Sequence, residues 1–384
     1  MLLLQLLKEI ELPDEAYEIS IRRYEDLGQW LGRGEARCAR YNPHIGSQGS
    51  FLLGTATKPP VSSMPYDLDL FCSLTQGMSK NGTSQADLKL ILGEDLKDYR
   101  IARQISAQVS EKKRCWRIDY ADRMSFHLDV TPGIPAADSQ RESIRMEMLD
   151  AYSDSVLARS VSEKALYITD NSSSDFKVLS PNWPLSNPEG YGIWFQSRMR
   201  QATEYLSKRS IILDAEIDKV PSYRWKSPLQ NAILLIKRHR DIMFKDDPDI
   251  QPISIILTTL AAQAYRGEND VESALSTILE KMESYILPTA PRIPNPVNAK
   301  EDFADKWTDP QYQELRLEEN FHIWIAEARR DFDVLLNSRE EKRSIELAKR
   351  AFGVTLKSSA ITTIASPYIE PKKISSGARP WLRG

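Results

Sequence analysis

Tyr66-Asp67-Leu68-Asp69-Leu70-Phe71-Cys72-Ser73-Leu74 is the stretch that decides how this chain reads. Leu68 and Leu70 alternate with Asp67 and Asp69, which predicts a strand carrying both carboxylates on one face. Residues 123–132 predict a second strand. There Met124, Phe126, Leu128 and Val130 alternate with Ser125, His127 and Asp129. A third strand, over 113–120, precedes it across a short turn at Ala121-Asp122. If these strands are neighbours, Asp67, Asp69 and Asp129 converge. Such a cluster repels itself unless cations neutralise it. Carboxylate oxygens suit Mg2+ or Mn2+, which keep several waters and bind substrate phosphates. On an isolated strand the same pattern is ordinary solvent-facing charge, so the neighbourhood carries the argument.

Just upstream lies Gln48-Gly49-Ser50-Phe51-Leu52-Leu53-Gly54-Thr55. Across 41–55, Gly46, Gly49 and Gly54 alternate with Ser47, Ser50 and Thr55, which reads as a loop. Such a loop lets backbone N–H groups and a hydroxyl approach phosphate oxygens. It is not a Walker loop, because no G-K-[ST] follows.

Working outward, Tyr17, Ile21, Tyr24, Leu27 and Leu31 share one face of a helix expected over 14–31, started by Pro13-Asp14. A second helix is expected over 86–109. Residues 131–190 hold Pro132, Pro135, Pro181, Pro184 and Pro188 and read as loops with one or two short helices. From Gly190 the pattern is helical, over about 190–209, 227–243, 252–266, 271–286, 309–337 and 339–352, with a Pro-rich link at 288–296. The fold class is α+β. A mixed lobe spans 1–185, a helical lobe 186–355 and a mobile tail 356–384, and the N-terminal helix is expected to pack back on the second lobe. The seam between the lobes is the natural place for a cleft.

The bulk numbers agree with two lobes. The chain has 384 residues, 41% hydrophobic and 27% charged, enough for a packed core. Its 51 basic and 54 acidic residues leave a formal charge of -3, which excludes an overall basic nucleic-acid binder but not a local basic surface. Residues 198–245 are such a region, with eleven bases against five acids, a net +6. Three cysteines and four histidines without C-x-x-C or H-x-x-x-H speak against structural zinc and disulfides. The apolar start is too short for a signal peptide, and no apolar run spans a bilayer, so a cytoplasmic protein with no membrane partner is expected.

The Gln48-Gly49-Ser50, Gly54-Thr55, Tyr66 to Leu70 and His127-Leu128-Asp129-Val130 segments together resemble the active-site signature of polymerase-β-like nucleotidyltransferases. Within that superfamily the chain looks like the bacterial CD-NTases, relatives of cyclic-GMP-AMP synthase and oligoadenylate synthase. Asn187-Pro188-Glu189-Gly190-Tyr191, Ser227 to Asp241 and Pro252 to Ala262 carry the likeness into the second half. It covers about residues 10–355. Gly49-Ser50 is preferred over Gly46-Ser47 because Gly54-Thr55 follows at the familiar spacing. The sixteen residues 51–66 are slightly long for the motif, so 61–65 are expected to form an inserted loop beside the site.

The resemblance implies two Mg2+ ions, or Mn2+, on Asp67, Asp69 and Asp129. Asp129 would also help activate a ribose hydroxyl. Gln48, Gly49 and Ser50 would meet the donor triphosphate, and Lys237 would reach its phosphates. Ser254 is a further candidate for that nucleotide, with capping of the next helix as its bland alternative. Tyr191 would stack on a base, against core packing as the alternative. The implied activity is condensation of NTPs, ATP among them, into a cyclic di- or trinucleotide that signals in bacterial antiviral defence, with a regulatory activator protein as a possible partner. The competing readings are transfer of nucleotides to RNA or protein, and an inactive nucleotide-binding module. No long nucleic-acid substrate is expected. The tail ends Arg379-Pro380-Trp381-Leu382-Arg383-Gly384, and from Pro371 carries four bases and no acid. It resembles tails that an E1/E2-like enzyme conjugates through the last residue, here Gly384; the alternative is a disordered basic end.

Overall fold

The computed structural model describes residues 2–61, 64–121, 124–200, 226–338 and 340–356. The expected helix at 201–209, most of the +6 region, the turn at Asp122 and the tail with Gly384 lie outside them.

The apolar start is a helix, α1 (Leu2–Ile10), because Leu3, Leu6, Leu7 and Ile10 share a buried face. It packs on a helix of the second lobe, Pro228–Met243. Helix α2 (Asp14–Gly32) follows Pro13 as the spacing predicts. Residues 41–55 differ from the expected loop: they form strand β1 (Pro43–Ser47) and the short helix α3 (Gly49–Leu53). Gly46 is the reason its glycines mislead. It lies in β1 against the Phe71 ring, where a Cβ would come within 2.3 Å.

Strand β2 (Tyr66–Leu74) has the expected bounds. Helix α4 (Gln85–Ala102) begins with a capping box between Ser84 and Asp87 and ends earlier than its pattern suggested. Strands β3 (Ser110–Glu111), β4 (Trp116–Tyr120) and β5 (Phe126–Pro135) follow. The seemingly irregular middle contains α5 (Asp138–Tyr152), α6 (Ser155–Ser162), β6 (Leu166–Ile168) and β7 (Leu185–Ser186). Pro132 lies within β5 and Pro135 at its end, Pro181 and Pro184 lie in connections, and Pro188 starts the next helix, so these prolines do not mark one continuous loop.

One mixed sheet runs β1-β2-β5-β4-β3, with β6 on β5 and β7 on β6. Only β2 and β5 pair in parallel. Leu68, Leu70, Ile118, Leu128 and Val130 face the core, and α4 covers them with Leu88, Leu92 and Leu96. The opposite face of β2, β5 and β4 is polar near their starts, and this is where the carboxylates stand.

The second lobe is helical: α7 (Pro188–Arg200), α8 (Pro228–Met243), α9 (Ser254–Ala264) and α10 (Val271–Lys281). The Pro-rich link leads into a hairpin, β8 (Pro294–Asn295) and β9 (Asn298–Asp302), and then α11 (Asp305–Thr308). Helices α12 (Leu317–Asn337) and α13 (Glu341–Phe352) complete the described chain. No described helix is long and apolar enough to cross a membrane.

Gly93 lets α4 close on the sheet. A Cβ there would lie 2.4 Å from the Trp116 ring, which is pinned by its Nε1–H donating to the Lys89 carbonyl. Gly93→Ala should destabilise the protein by about 1–3 kcal/mol despite the better helix propensity of alanine, as measured by urea unfolding.

Candidate active site

Strand register builds the site. The parallel β2–β5 pair sets Asp69 opposite Asp129 and Asp67 opposite His127. The antiparallel β4–β5 pair sets Arg117 opposite Asp129 and Asp119 opposite His127. Two rows therefore cross the polar face of the sheet: Asp69, Asp129, Arg117, and beside it Asp67, His127, Asp119. In the second row His127 Nδ1 is 3.4 Å from Asp67 and Nε2 is 3.5 Å from Asp119. In the first, Arg117 donates through Nε and Nη2 to the two oxygens of Asp129, each at 2.7 Å. Arg117 and Asp119 were not singled out from the sequence. Their signal was present, since Trp116 and Ile118 alternate with them.

The charge is unevenly balanced. Asp67 is largely exposed, while Asp129 is mostly covered and held by Arg117. Burial, and then the nearby Asp67 and Asp129 charges, push Asp69 up to about 7. The fork with Asp129 raises the Arg117 pKa. Among the described residues, no three Asp, Glu, His or Cys side chains stand close enough together to hold one metal ion as they are placed. The donor set nevertheless fits a hard divalent cation: two carboxylates on one strand face, a third in register, and one of them short of positive charge.

The loop closes over this row. Gln48 donates its backbone N–H to the Asp69 carbonyl at 2.8 Å, and its side chain reaches Thr131 at 3.4 Å. Gly49 has φ +61°, and a Cβ on it would lie 2.5 Å from an Asp69 carboxylate oxygen. Of the two Gly-Ser pairs, Gly46-Ser47 is packed within β1, and Gly49-Ser50 is the one beside the carboxylates. Ser50 is the second residue of α3, and its carbonyl accepts from Thr55 N–H at 2.9 Å. Gly54, at φ +65°, ends that helix.

The second lobe reaches the same segment. Lys237 Nζ donates to the Thr55 carbonyl at 2.8 Å, and Gln230 Nε2 to the Leu53 carbonyl at 2.9 Å. Lys237 is only 6% exposed. Desolvation lowers its pKa to about 8, partly offset by Asp241 and by the site carboxylates Asp69 and Asp67.

With this geometry in hand, comparison with known proteins is informative. The family model for the cyclic GMP-AMP synthase DncV-like nucleotidyltransferase domain matches residues 43–132, which contain all three carboxylates. The c-di-GMP synthase of Roseivirga ehrenbergii is 31% identical over 290 residues, 74% of this chain and 67% of that protein. The chain is a bacterial CD-NTase. It is thus a nucleotidyltransferase. The cyclic dinucleotide synthase CdnG of Bradyrhizobium diazoefficiens is 26% identical over 353 residues, covering 88% of this CD-NTase and 78% of CdnG. The CdnG structure in complex with GTP superposes with a TM-score of 0.62 at 22% identity, over 92% of this chain and 94% of that one. The shared fold is the polymerase-β-like one.

Tyr191 and Ser254, two expected nucleotide contacts in this CD-NTase, have side-chain partners within the protein. Tyr191 is buried, donates or accepts at Thr259 Oγ1 over 2.8 Å, and packs against Trp194 and Phe303. A base platform must present a ring face, and this ring is enclosed, so core packing is the corrected reading. Ser254 does not cap α9, whose N-cap is Ile253; its Oγ accepts from Arg240 Nη2 at 3.0 Å. Lys237, the expected phosphate contact, opens a run of four basic residues, 237–240, near the end of α8. All four residues are buried.

Gly49→Ala tests the loop without touching a carboxylate. It should destabilise the fold by about 1–2 kcal/mol, since alanine is disfavoured at positive φ. Displacing Asp69 should also lower kcat by about a hundredfold or more. Thermal unfolding and NTP turnover measure the two effects separately.

Proposed function

We propose that this CD-NTase condenses NTPs into a cyclic dinucleotide second messenger, releasing pyrophosphate, and that it acts in anti-phage signalling. The observation that carries the reading is the in-register row of Asp69 and Asp129, with Asp67 beside it and Gly49 pressed against Asp69. The relatives' names favour a cyclic dinucleotide over a trinucleotide and make GTP the first substrate to test, alongside ATP.

Asp67, Asp69 and Asp129 would hold Mg2+. Bound there, magnesium makes a ribose hydroxyl more acidic and neutralises charge on a triphosphate. The remaining roles belong to the chain itself. Gln48 ties the loop to β2, Gly49 lets its backbone lie against the carboxylates, and Ser50 offers a hydroxyl to the donor phosphates. Lys237 places an ammonium group behind Thr55, where a bound triphosphate would favour its charged form. A linear intermediate would re-enter the cleft with its free hydroxyl at the carboxylates before ring closure.

Labelled GTP or ATP incubated with Mg2+ and then phosphatase should leave a resistant cyclic product. Asp67→Ala/Asp69→Ala should reduce it by about three orders of magnitude. Label found only on added RNA or on protein would favour the transferase alternative, and no incorporation under any condition would favour a binding module.

Lys237→Met separates binding from folding. The NTP KM should rise about tenfold. Stability at neutral pH should be equal or higher, because a desolvated charge is removed. The folded Lys237 loses its proton at about 8, below its ordinary 10.5. Between those values the unfolded chain binds the extra proton, so wild-type stability should rise relative to the variant as pH increases. Denaturant midpoints across that range check the sign.

A further inference from the structure

Arg117 is the basic side chain on the polar face of β4. It stands directly across from Asp129, at a register set by the sheet and not by a flexible loop. Its Nε and Nη2 occupy both oxygens of Asp129, and its Nη1 is 3.2 Å from His127 Nδ1. A guanidinium fork of this kind occupies both carboxylate oxygens and fixes their plane. Asp129 is therefore already neutralised by the protein, whereas Asp67 and Asp69 lie outside the fork. The Arg117 side chain is 26% exposed, so it is not sealed off from an incoming phosphate.

We propose that Arg117 is a positioning residue that stands in for a cation on Asp129 and makes metal loading ordered. The Asp67–Asp69 pair takes a divalent ion first. Asp129 joins only when nucleotide phosphates, good guanidinium ligands themselves, draw Arg117 from it. The protein without nucleotide would thus bind metal weakly, and metal and nucleotide would bind with positive coupling. This rests on the metal-and-triphosphate reading above.

The test is Mn2+ binding to the full chain, followed by electron paramagnetic resonance, without nucleotide and with a non-reactive GTP analogue. Wild type should bind Mn2+ weakly alone and at least about tenfold more tightly with the analogue. Arg117→Met should bind Mn2+ about tenfold more tightly in the nucleotide-free state, because a neighbouring positive charge is gone, and should lose most of the coupling. Arg117→Lys keeps the charge without the fork, is the milder change for folding, and should fall between the two. Circular dichroism reports whether each variant is folded. Wild-type Mn2+ affinity in both folded variants, with or without the analogue, would overturn the proposal, as would weaker nucleotide-free binding. Asp67→Ala/Asp69→Ala tells the two failures apart. If wild-type binding is absent, or is unchanged in that double variant, the metal reading itself falls.

Discussion

Four consecutive basic residues of α8 are buried, and they find acceptors on three other segments of the chain. Lys237 donates to Thr55 and Arg238 to the Lys58 carbonyl, both in the first lobe. His239 meets Asp331 of α12, which Arg350 of α13 also holds. Arg240 donates to the Pro252 carbonyl and Ser254. Leaving such groups unpaired in the interior would cost several kcal/mol, so these acceptors must be in place together. This constraint joins the site loop to the helical lobe through one helix. It also explains why a charge run that looks solvated lies inside the molecule.

The site obeys a second constraint, the parallel pairing of β2 with β5. A one-residue slip would turn Asp67 and Asp69 toward the core and their leucines outward. Leu68, Leu70, Leu128 and Val130 are all buried, which holds the register. The same hydrophobic burial that stabilises the sheet thus presses like charges together. The raised pKa of Asp69 and the Arg117 fork on Asp129 are two local responses to that repulsion. Loop geometry depends on the same row, since Gly49 tolerates the approach of Asp69 only because it lacks a side chain.

Much of this was legible before any coordinates. The bounds of β2 and the faces of Asp67, Asp69 and Asp129 follow from strict alternation, a signal carried by neighbouring residues alone. The start of α2 and most helices of the second lobe follow in the same way. Residues 41–55 conceal β1 and α3, and the middle region conceals β6 and β7 around its expected helices, because glycine and proline mark turns only statistically. Gly46 serves the packing of Phe71, and several prolines sit at the ends of elements. Tyr191 looked like a ligand contact because local sequence cannot tell a ring enclosed by Trp194 and Phe303 from one facing a cleft.

The sequence by itself determined the fold class, the three carboxylates on polar strand faces and the glycine loop ahead of them. Period-two alternation and turn chemistry are local properties, so they survive without knowledge of the partners. Only the tertiary structure decided which Gly-Ser pair lies at the carboxylates, that Arg117 grips Asp129, and that Lys237 is buried against Thr55. Those outcomes depend on strand register and on helix docking between residues as far apart as Thr55 and Lys237. Such contacts are chosen by burial and by the need to pair every buried charge, and neither is written in any short stretch of chain.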